Sequence, residues 1–375
     1  MPPTPSTAPP AAAARRRVAG RATADGTARY AARHAHRFTA DFYRPLAAGL
    51  AVGSLGMGSY LGGCDDADDA RYAAAARAAL GGGANLLDTA INYRCQRSER
   101  AVGAALAAAV AAGEVRRDEV VLCSKGGYLP LDGAPPASRA EYLAYVEREY
   151  HAPGVMAAAD VVSAGHCIAP SFLADQFARS RANLGVESID VYYLHNPEQQ
   201  LEALTHERFR DAVRRAFAVL ESRAAAGELV TYGCATWGGF RVPPGAPGHL
   251  SLAELVQLAR EAAGGGAHHF GVVQLPVNLA MTEAVRARTQ RLPGSREVTL
   301  LEAAAELGVA VVASASLMQA QLATGLPPQL RDAFPALATD AQRALAFVRA
   351  LPLASALVGM RSAEHVGENL AAGSV

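Results

Sequence analysis

The chain has little that would draw it to a charged polymer, a membrane or a metal. Lys+Arg and Asp+Glu both number 35 among 375 residues, so no net field favours nucleic acid or an anionic bilayer surface. The Ala and Val stretches are short and interrupted, and no apolar run reaches the ~18 residues that a membrane-spanning helix needs. The five cysteines, Cys64, Cys95, Cys123, Cys167 and Cys234, are odd in number, scattered and without a CxxC pair. That pattern suggests neither a disulfide framework nor a zinc or other metal site. They read as reduced thiols, and a soluble cytoplasmic protein is expected. A dinucleotide fingerprint is missing as well: Gly56, Gly58 and Gly62 are spaced GxGxxxG, and Cys64, Asp65 and Asp66 follow in place of a helix start. These glycines read as a tight strand end.

Apolar residues, by contrast, are plentiful at 51% of the chain, ample for one large core. Residues 1–35 stand apart, being rich in Pro, Ala and Arg, with Arg15, Arg16 and Arg17 in succession and Asp25 the one acidic residue. Such a composition buries too little apolar surface to offset its ordering entropy, so residues 1–35 are expected to be a disordered, mobile tail. An organelle-targeting segment is similarly Arg-rich and acid-poor, but the alanine excess continues through the chain and carries no local message. Residues 36–375 are expected to form a single unit.

From about residue 50 two periodicities alternate. Short apolar runs at 55–58, 85–88, 120–125, 190–195, 230–237, 270–278, 309–317 and 355–360 read as strands. Between and after them, apolar residues recur at helical spacing over 72–80, 101–110, 172–184, 209–226, 252–263, 300–307, 341–350 and 363–371. Eight alternating βα units predict an α/β protein, a closed (β/α)8 (TIM) barrel in preference to an open doubly wound sheet. Two insertions break the spacing: an extended one after the third strand, residues 128–170, long enough for a helix near 139–148, and another after Asn278.

In such a barrel the loops at the carboxyl ends of the strands converge, so polar residues there are candidates for a site. The second run ends on Asp88, with Tyr93 five residues on; the third ends on Lys125 before Gly126-Gly127; the fourth ends on His195 before Asn196-Pro197. Singly these read as a helix cap, a loop aromatic, a solvated lysine and a capping histidine. Together on successive strands they suit one chemistry. A phenol with its ordinary pKa of ~10 is a poor acid or base at neutral pH, but an adjacent ammonium favours the phenolate. Lys125 supplies that cation, Asp88 keeps it charged, and His195 offers a hydrogen bond where a carbonyl oxygen would sit. The group is suited to giving a proton to a carbonyl oxygen, or taking one from an alcohol, while a hydride moves at carbon. A nicotinamide cofactor is the usual hydride source.

The segments LLDTAINYRCQRSERAVGAAL, VVLCSKGG, SIDVYYLHNPE, LVTYGCATW, VVQLPVN, VVASASLMQ and ALVGMRSAEHVGENLA, spread over residues 50–372, resemble the aldo-keto reductase superfamily. The resemblance implies a (β/α)8 barrel, Asp88, Tyr93, Lys125 and His195 as a catalytic tetrad with Tyr93 as proton donor, and a cofactor extended across the barrel mouth. It implies cofactor contacts at Ser59, Asp88, Thr236, Gln274, Ser314, Ser316, Leu317, Gln319, Gly359, Arg361, Ser362, Glu368 and Asn369, and substrate contacts at Tyr60, Tyr93, His195 and Asn196. Within that set Gln274 matches the residue that binds the nicotinamide carboxamide, residues 316–319 the loop around the pyrophosphate, and Arg361 the basic residue at a 2′-phosphate. A guanidinium meets phosphate through paired charge-assisted hydrogen bonds, so NADPH is expected in preference to NADH. A satisfied core glutamine and an exposed helix-start arginine are the alternatives at these two positions.

Two positions depart from the family pattern. Ala235-Thr236 stands where most members have Ser-Asn, and Ser314 where many stack an aromatic ring on the nicotinamide. Loss of that stack weakens cofactor binding by something on the order of 1 kcal/mol unless another group fills the space. Trp237, the only tryptophan, is a substitute or else a core residue. Gly126, Gly127, Asn196 and Tyr60 beside the tetrad imply a wide, polar pocket compatible with hydroxylated carbonyls. His166-Cys167 read as a helix cap, and Cys95 as an oxidation-sensitive thiol or a buried small residue. The leading expectation is an NAD(P)H-dependent oxidoreductase acting on a small carbonyl or alcohol, without nucleic-acid or membrane partners and with its oligomeric state open. The departures leave room for an NADP(H)-binding sensor with little turnover, and a strand lysine leaves room for a Schiff-base lyase, in which Gln274 and Arg361 have no evident use.

Overall fold

In the computed structural model, which describes residues 17–163 and 165–375, the alternating segments form eight parallel strands closed into a barrel. The strands are β1 (Leu55–Gly58), β2 (Leu86–Asp88), β3 (Val121–Gly126), β4 (Ile189–His195), β5 (Leu229–Ala235), β6 (Phe270–Pro276), β7 (Ala310–Ser314) and β8 (Ser355–Gly359). Each neighbours the next in sequence, and β8 closes on β1. The helices that follow them are α1 (Asp66–Gly82), α2 (Arg97–Ala111), α3 (Pro170–Leu184), α4 (His206–Ala225), α5 (Leu252–Ala262), α6 (Leu300–Leu307), α7 (Asp340–Arg349) and α8 (Ala363–Ala371). Six begin on a polar cap: Asp65, Thr205, Ser251, Thr299, Thr339 and Ser362 each accept a hydrogen bond from a backbone N–H of the first turn. The expected elements are all present, with ends shifted by a few residues.

The two-residue period of each strand sorts its side chains. Leu86, Val121, Cys123, Val191, Tyr193, Val272, Val312 and Leu357 share the interior cluster, whereas Leu87, Leu122, Tyr192, Leu194 and Val273 join the cluster under the helices. Continuing that alternation makes Asp88, Lys125 and His195 the last inward residues of their strands and turns Gln274 inward on β6, one inward position before its end at Pro276. The site is thus a consequence of register: a one-residue slip would turn each of these groups toward the helices. At the opposite end a hairpin pairs Tyr43–Pro45 with Ala51–Gly53, and its Leu46 and Leu50 close the interior cluster from below.

The expectation of a disordered tail over residues 1–35 is corrected in its second half. Residues 1–16 lie outside the described residues, but Ala24–His34 is a helix capped by Thr23, with Thr27 and Tyr30 buried. Arg29 pairs with Asp118 and Arg33 with Glu119, and Val18 bridges to Val186. Composition treats those arginines as solvated; their partners stand about ninety residues away, where only the fold can bring them.

The first insertion holds the helix Arg139–Val146, extended by a turn at Glu147–His151, and buries Val146, Tyr150 and Met156 against Cys167 and Phe172. The second holds a small hairpin of Gln290–Leu292 with Arg296–Val298. Among the described residues no helix is long and apolar enough to cross a membrane.

Candidate active site

At the carboxyl edge of the barrel the inward ends of β2 and β3 form an ion pair. Asp88 and Lys125 are 4% and 1% exposed, which excludes a solvated lysine. Lys125 Nζ donates to Asp88 Oδ1 and, at 2.9 Å, to the carbonyl of Thr89. Asp88 Oδ2 accepts from Gln274 Nε2 at 2.9 Å, and the Asp88 carbonyl accepts from Ser59 Oγ at 3.1 Å. Burial works against the Lys125 ammonium, but Asp88 and Tyr93 outweigh it and hold its pKa above the ordinary value. Burial also raises the Asp88 carboxyl, with Lys125 and Gln274 opposing. Lys125 is the only lysine in the chain; every other residue of the Lys+Arg total is arginine. A compact ammonium fits among the Asp88 and Thr89 oxygens, a place that a planar guanidinium would not fill in the same way.

Tyr93 lies on the loop after β2. Lys125 Nζ is 4.9 Å from its ring centroid, and the rings of Tyr60 and His195 stand edge-on to it at 4.9 and 5.8 Å. Burial raises the phenol's pKa and the ammonium only partly offsets this, so the net direction is opposite to that expected from Lys125 alone. The resting phenol therefore carries its proton beside a cation that stabilises the phenolate left behind. That is the arrangement of an acid.

His195 is a neutral imidazole, since burial first, then Lys125 and His166, keep its pKa well below the ordinary value. Its Nδ1 is buried without a partner among the described residues. The His195 carbonyl accepts from His166 Nε2 at 2.7 Å, and His166 Nδ1 stands 2.8 Å from Gln200 Nε2. An amide nitrogen only donates, which fixes the tautomer of His166: acceptor at Nδ1, donor at Nε2. His166 is fully buried, and burial lowers its pKa to about 4. The expected capping role is corrected here, because α3 starts at Pro170 with Ala169 as N-cap and no side-chain cap. Tyr128 stands 5.0 Å from both His166 and His195, and its hydroxyl accepts from Asn196 Nδ2 at 2.7 Å. Gly127, at φ +145°, has no room for a side chain: an added Cβ would lie 2.8 Å from the His195 carbonyl oxygen and 3.0 Å from His166 Nε2.

The residues expected to hold a cofactor flank this cluster. Thr236 Oγ1, just past β5, and Ser316 Oγ, just past β7, are buried without partners among the described residues, on either side of β6 with its Gln274. Orphaned buried hydroxyls in this position fit a polar ligand laid across the mouth. Gln274 uses its amide N–H on Asp88, so it both braces the ion pair and keeps its oxygen for other contacts. Ser314 and Leu317 are half-buried and Gln319 is exposed. Along this loop Ala315, Met318, Gln319 and Ala320 have φ of 52°, 48°, 54° and 70°. Where the chain changes hand along such a loop, successive backbone N–H groups form a concave nest suited to an anion.

Gly359 ends β8 beside open space, and Arg361 is exposed with Nη1 3.7 Å from Asp68 Oδ2. Ser362 caps α8, Glu368 offers its carbonyl to Gln342, and Asn369 is buried. No hydrogen bond links this group to the tetrad among the described residues. Trp237 is 53% exposed, which removes the core role, and its N–H with those of Gly238 and Gly239 donates to Glu198 Oε1. Tyr60 is 56% exposed at the rim. Sequence reasoning missed Tyr128, His166 and Gln200 as a group, because they come from the insertion and the turn after β4 and share no spacing. It also passed over the lone lysine, a signal present in the composition.

Among known proteins, the family model described as the aldo/keto reductase family matches residues 54–241. A search of curated proteins finds no match. Solved structures with similar folds include an aldo/keto reductase from Klebsiella pneumoniae in complex with NADP and acetate, with a TM-score of 0.59 and 22% identity over 89% of this chain and 90% of that one. A second is an aldo-keto reductase from Bacillus halodurans in its holo form, with a TM-score of 0.56 and 18% identity over 88% and 90%. A third, from Klebsiella pneumoniae in complex with NADPH, has a TM-score of 0.57 and 21% identity over 87% of each chain. At these identities the likeness establishes the barrel.

Proposed function

The chain belongs to the aldo/keto reductase family, and from that premise we propose that it is an NADP(H)-dependent oxidoreductase that reduces an aldehyde or ketone and, in reverse, oxidises the alcohol. The observation that carries the reading is the placement of Tyr93 against the buried Lys125–Asp88 pair and beside His195. Tyr93 gives its proton to the substrate oxygen. Lys125 stabilises the phenolate that remains, and Asp88 with Gln274 holds Lys125 in place. His195, neutral and braced through its carbonyl by His166, supplies a hydrogen bond at the same oxygen without adding a second cation beside Lys125. The nicotinamide cofactor, when bound, supplies the hydride.

Thr236, Gln274, Ser314 and Ser316, with Leu317 and Gln319 of the nest loop, are the residues we assign to the cofactor's nicotinamide and pyrophosphate. Gly359, Arg361, Ser362, Glu368 and Asn369 are assigned to its adenosine end, and Ser59 to the support of Asp88. NADP and NADPH in two similar structures favour the phosphorylated cofactor, as does the freedom of Arg361 to turn from a loose contact with Asp68. Tyr60, Tyr93, His195 and Asn196 face the substrate in this reading. Five free cysteines accord with a reducing, cytoplasmic setting.

Titration with NADPH and NADH by nucleotide fluorescence, followed by a panel of aldehydes, tests the proposal. Wild type and Tyr93→Phe should bind NADPH alike, while the variant's turnover falls by about 10²–10⁴-fold, the usual worth of a general acid. Binding without turnover on any carbonyl would leave a sensor in its place, and absence of binding would overturn the reading.

A further inference from the structure

We propose that Cys64 and Cys95 form a reversible intramolecular disulfide at the rim of the pocket when the protein meets a peroxide. The two sulfurs lie 3.5 Å apart, Cys64 on the loop after β1 and Cys95 on the loop after β2. Cys64 is half-buried and Cys95 buried.

The surrounding contacts hold the two thiols in register. Arg94, immediately before Cys95, donates from Nε to the Gly63 carbonyl at 2.6 Å and from Nη2 to the Asp65 carbonyl at 3.3 Å. It thereby grips the chain on both sides of Cys64. The same guanidinium is anchored by Asp69 at 2.6 Å. From the other direction the Cys95 carbonyl accepts from the Gly133 N–H at 3.0 Å, and Gln96 Nε2 donates to the Leu131 carbonyl at 3.1 Å. Arg94, Cys95 and Gln96 stand at φ 49°, 53° and 67°, three consecutive non-glycine residues in the left-handed region. L-residues rarely hold that conformation in succession, and here these bonds keep it in place. Closing the sulfurs to a bond length of ~2.05 Å asks for a shift of roughly 1.5 Å. Cys123, Cys167 and Cys234 are buried in the barrel and under the insertion, away from this loop pair.

The chemistry balances with hydrogen peroxide as oxidant. The Cys64 thiolate attacks one peroxide oxygen, the O–O bond breaks, Cys64 becomes a sulfenic acid, and the departing hydroxide takes up a proton as water. The Cys95 sulfur, having lost its proton, attacks the Cys64 sulfur; the S–O bond breaks, a second water leaves, and the S–S bond forms. Two thiols have given up two electrons and one peroxide has become two waters. Burial raises the Cys95 thiol to about 12, so the more exposed Cys64 is the thiol that meets the oxidant and Cys95 the one that resolves it. The bond joins the segment after Tyr60 to the segment after Tyr93, whose rings already lie 4.9 Å apart.

The test uses the full chain, reduced, freed of reductant, exposed to one equivalent of hydrogen peroxide and then alkylated. Before alkylation the whole-protein mass should fall by two hydrogens; alkylated after denaturation, the oxidised chain should carry two alkyl groups fewer than the reduced one, with a Cys64–Cys95 linked peptide after digestion. A dithiol should restore both thiols, and Cys64→Ser should abolish the linked peptide where Cys123→Ser leaves it. Two freely alkylated thiols, a sulfinic acid at Cys64 without linkage, or bonds between chains would each overturn the proposal. The readout is mass, so failure here is distinct from failure of the oxidoreductase reading.

Discussion

Substituting His166 separates its two hydrogen bonds and gives a signature in both pH and rate. A glutamine amide places a donor near the site of Nε2 and loses the acceptor toward Gln200; an asparagine amide lies near Nδ1 and loses the donor to the His195 carbonyl. The imidazole has an ordinary pKa of 6.5, and burial lowers it to about 4 in the folded chain. The folded state then takes up this proton less readily than the unfolded one. The stability His166 contributes is fully present above pH 6.5 and is lost as pH falls through 4, by about 3 kcal/mol at 1.36 kcal/mol per unit. Urea unfolding between pH 7 and pH 4.5 should show wild type losing about 3 kcal/mol more than either variant. His34 and His195 titrate in the same sense in all three proteins, and their main cause, burial, is common to them, so the difference between the curves reports His166. His166→Asn should lose a further 1–3 kcal/mol or so at pH 7 from the unpaired buried carbonyl. Its kcat should fall while NADPH affinity is kept, and His166→Gln should recover much of that rate. Parallel stability curves for wild type and His166→Gln, or equal kcat in the two variants, would refute the reasoning.

Three further perturbations test other parts of the site. Asp88→Asn strips the anion from a buried ammonium and should reduce stability by about 3–5 kcal/mol in denaturant titration. Because the chain has one lysine, a sample labelled at lysine Nζ gives a single side-chain resonance. That signal should stay in the ammonium range beyond pH 10 in wild type and shift at lower pH in Asp88→Asn, if Asp88 holds the charge. Arg361→Ala should weaken NADPH by about tenfold or more and leave NADH unchanged, as a lost charge-assisted contact requires. Its effect on unliganded stability should stay within about 0.5 kcal/mol, since the 3.7 Å contact with Asp68 is loose. Gly127→Ala forces a Cβ to 2.8 Å from the His195 carbonyl oxygen at φ +145° and should lower the melting temperature together with kcat. An unchanged melting temperature would show that the β3–β4 edge relaxes freely.

The sequence by itself determined the barrel and the inner ring of the site. Apolar runs with period two and segments with period 3.6 are local properties, and eight repeats of the pair admit one closed arrangement. Asp88, Lys125 and His195 were legible because each ends a strand and each strand's alternation turns it inward. The single lysine among so many arginines was a further signal for the same position, present in the composition but passed over. The tertiary structure decided the rest. The helix at Ala24–His34 is held by Asp118 and Glu119, and a reading of its own composition makes it a tail. Burial reversed the direction expected for the Tyr93 phenol, since desolvation depends on everything packed around it. His166 reaches the His195 carbonyl and Gln200 meets His166 from separate loops, and Cys64 meets Cys95 across 31 residues. Such contacts are set by where a closed barrel brings its loops together, which no spacing along the chain records.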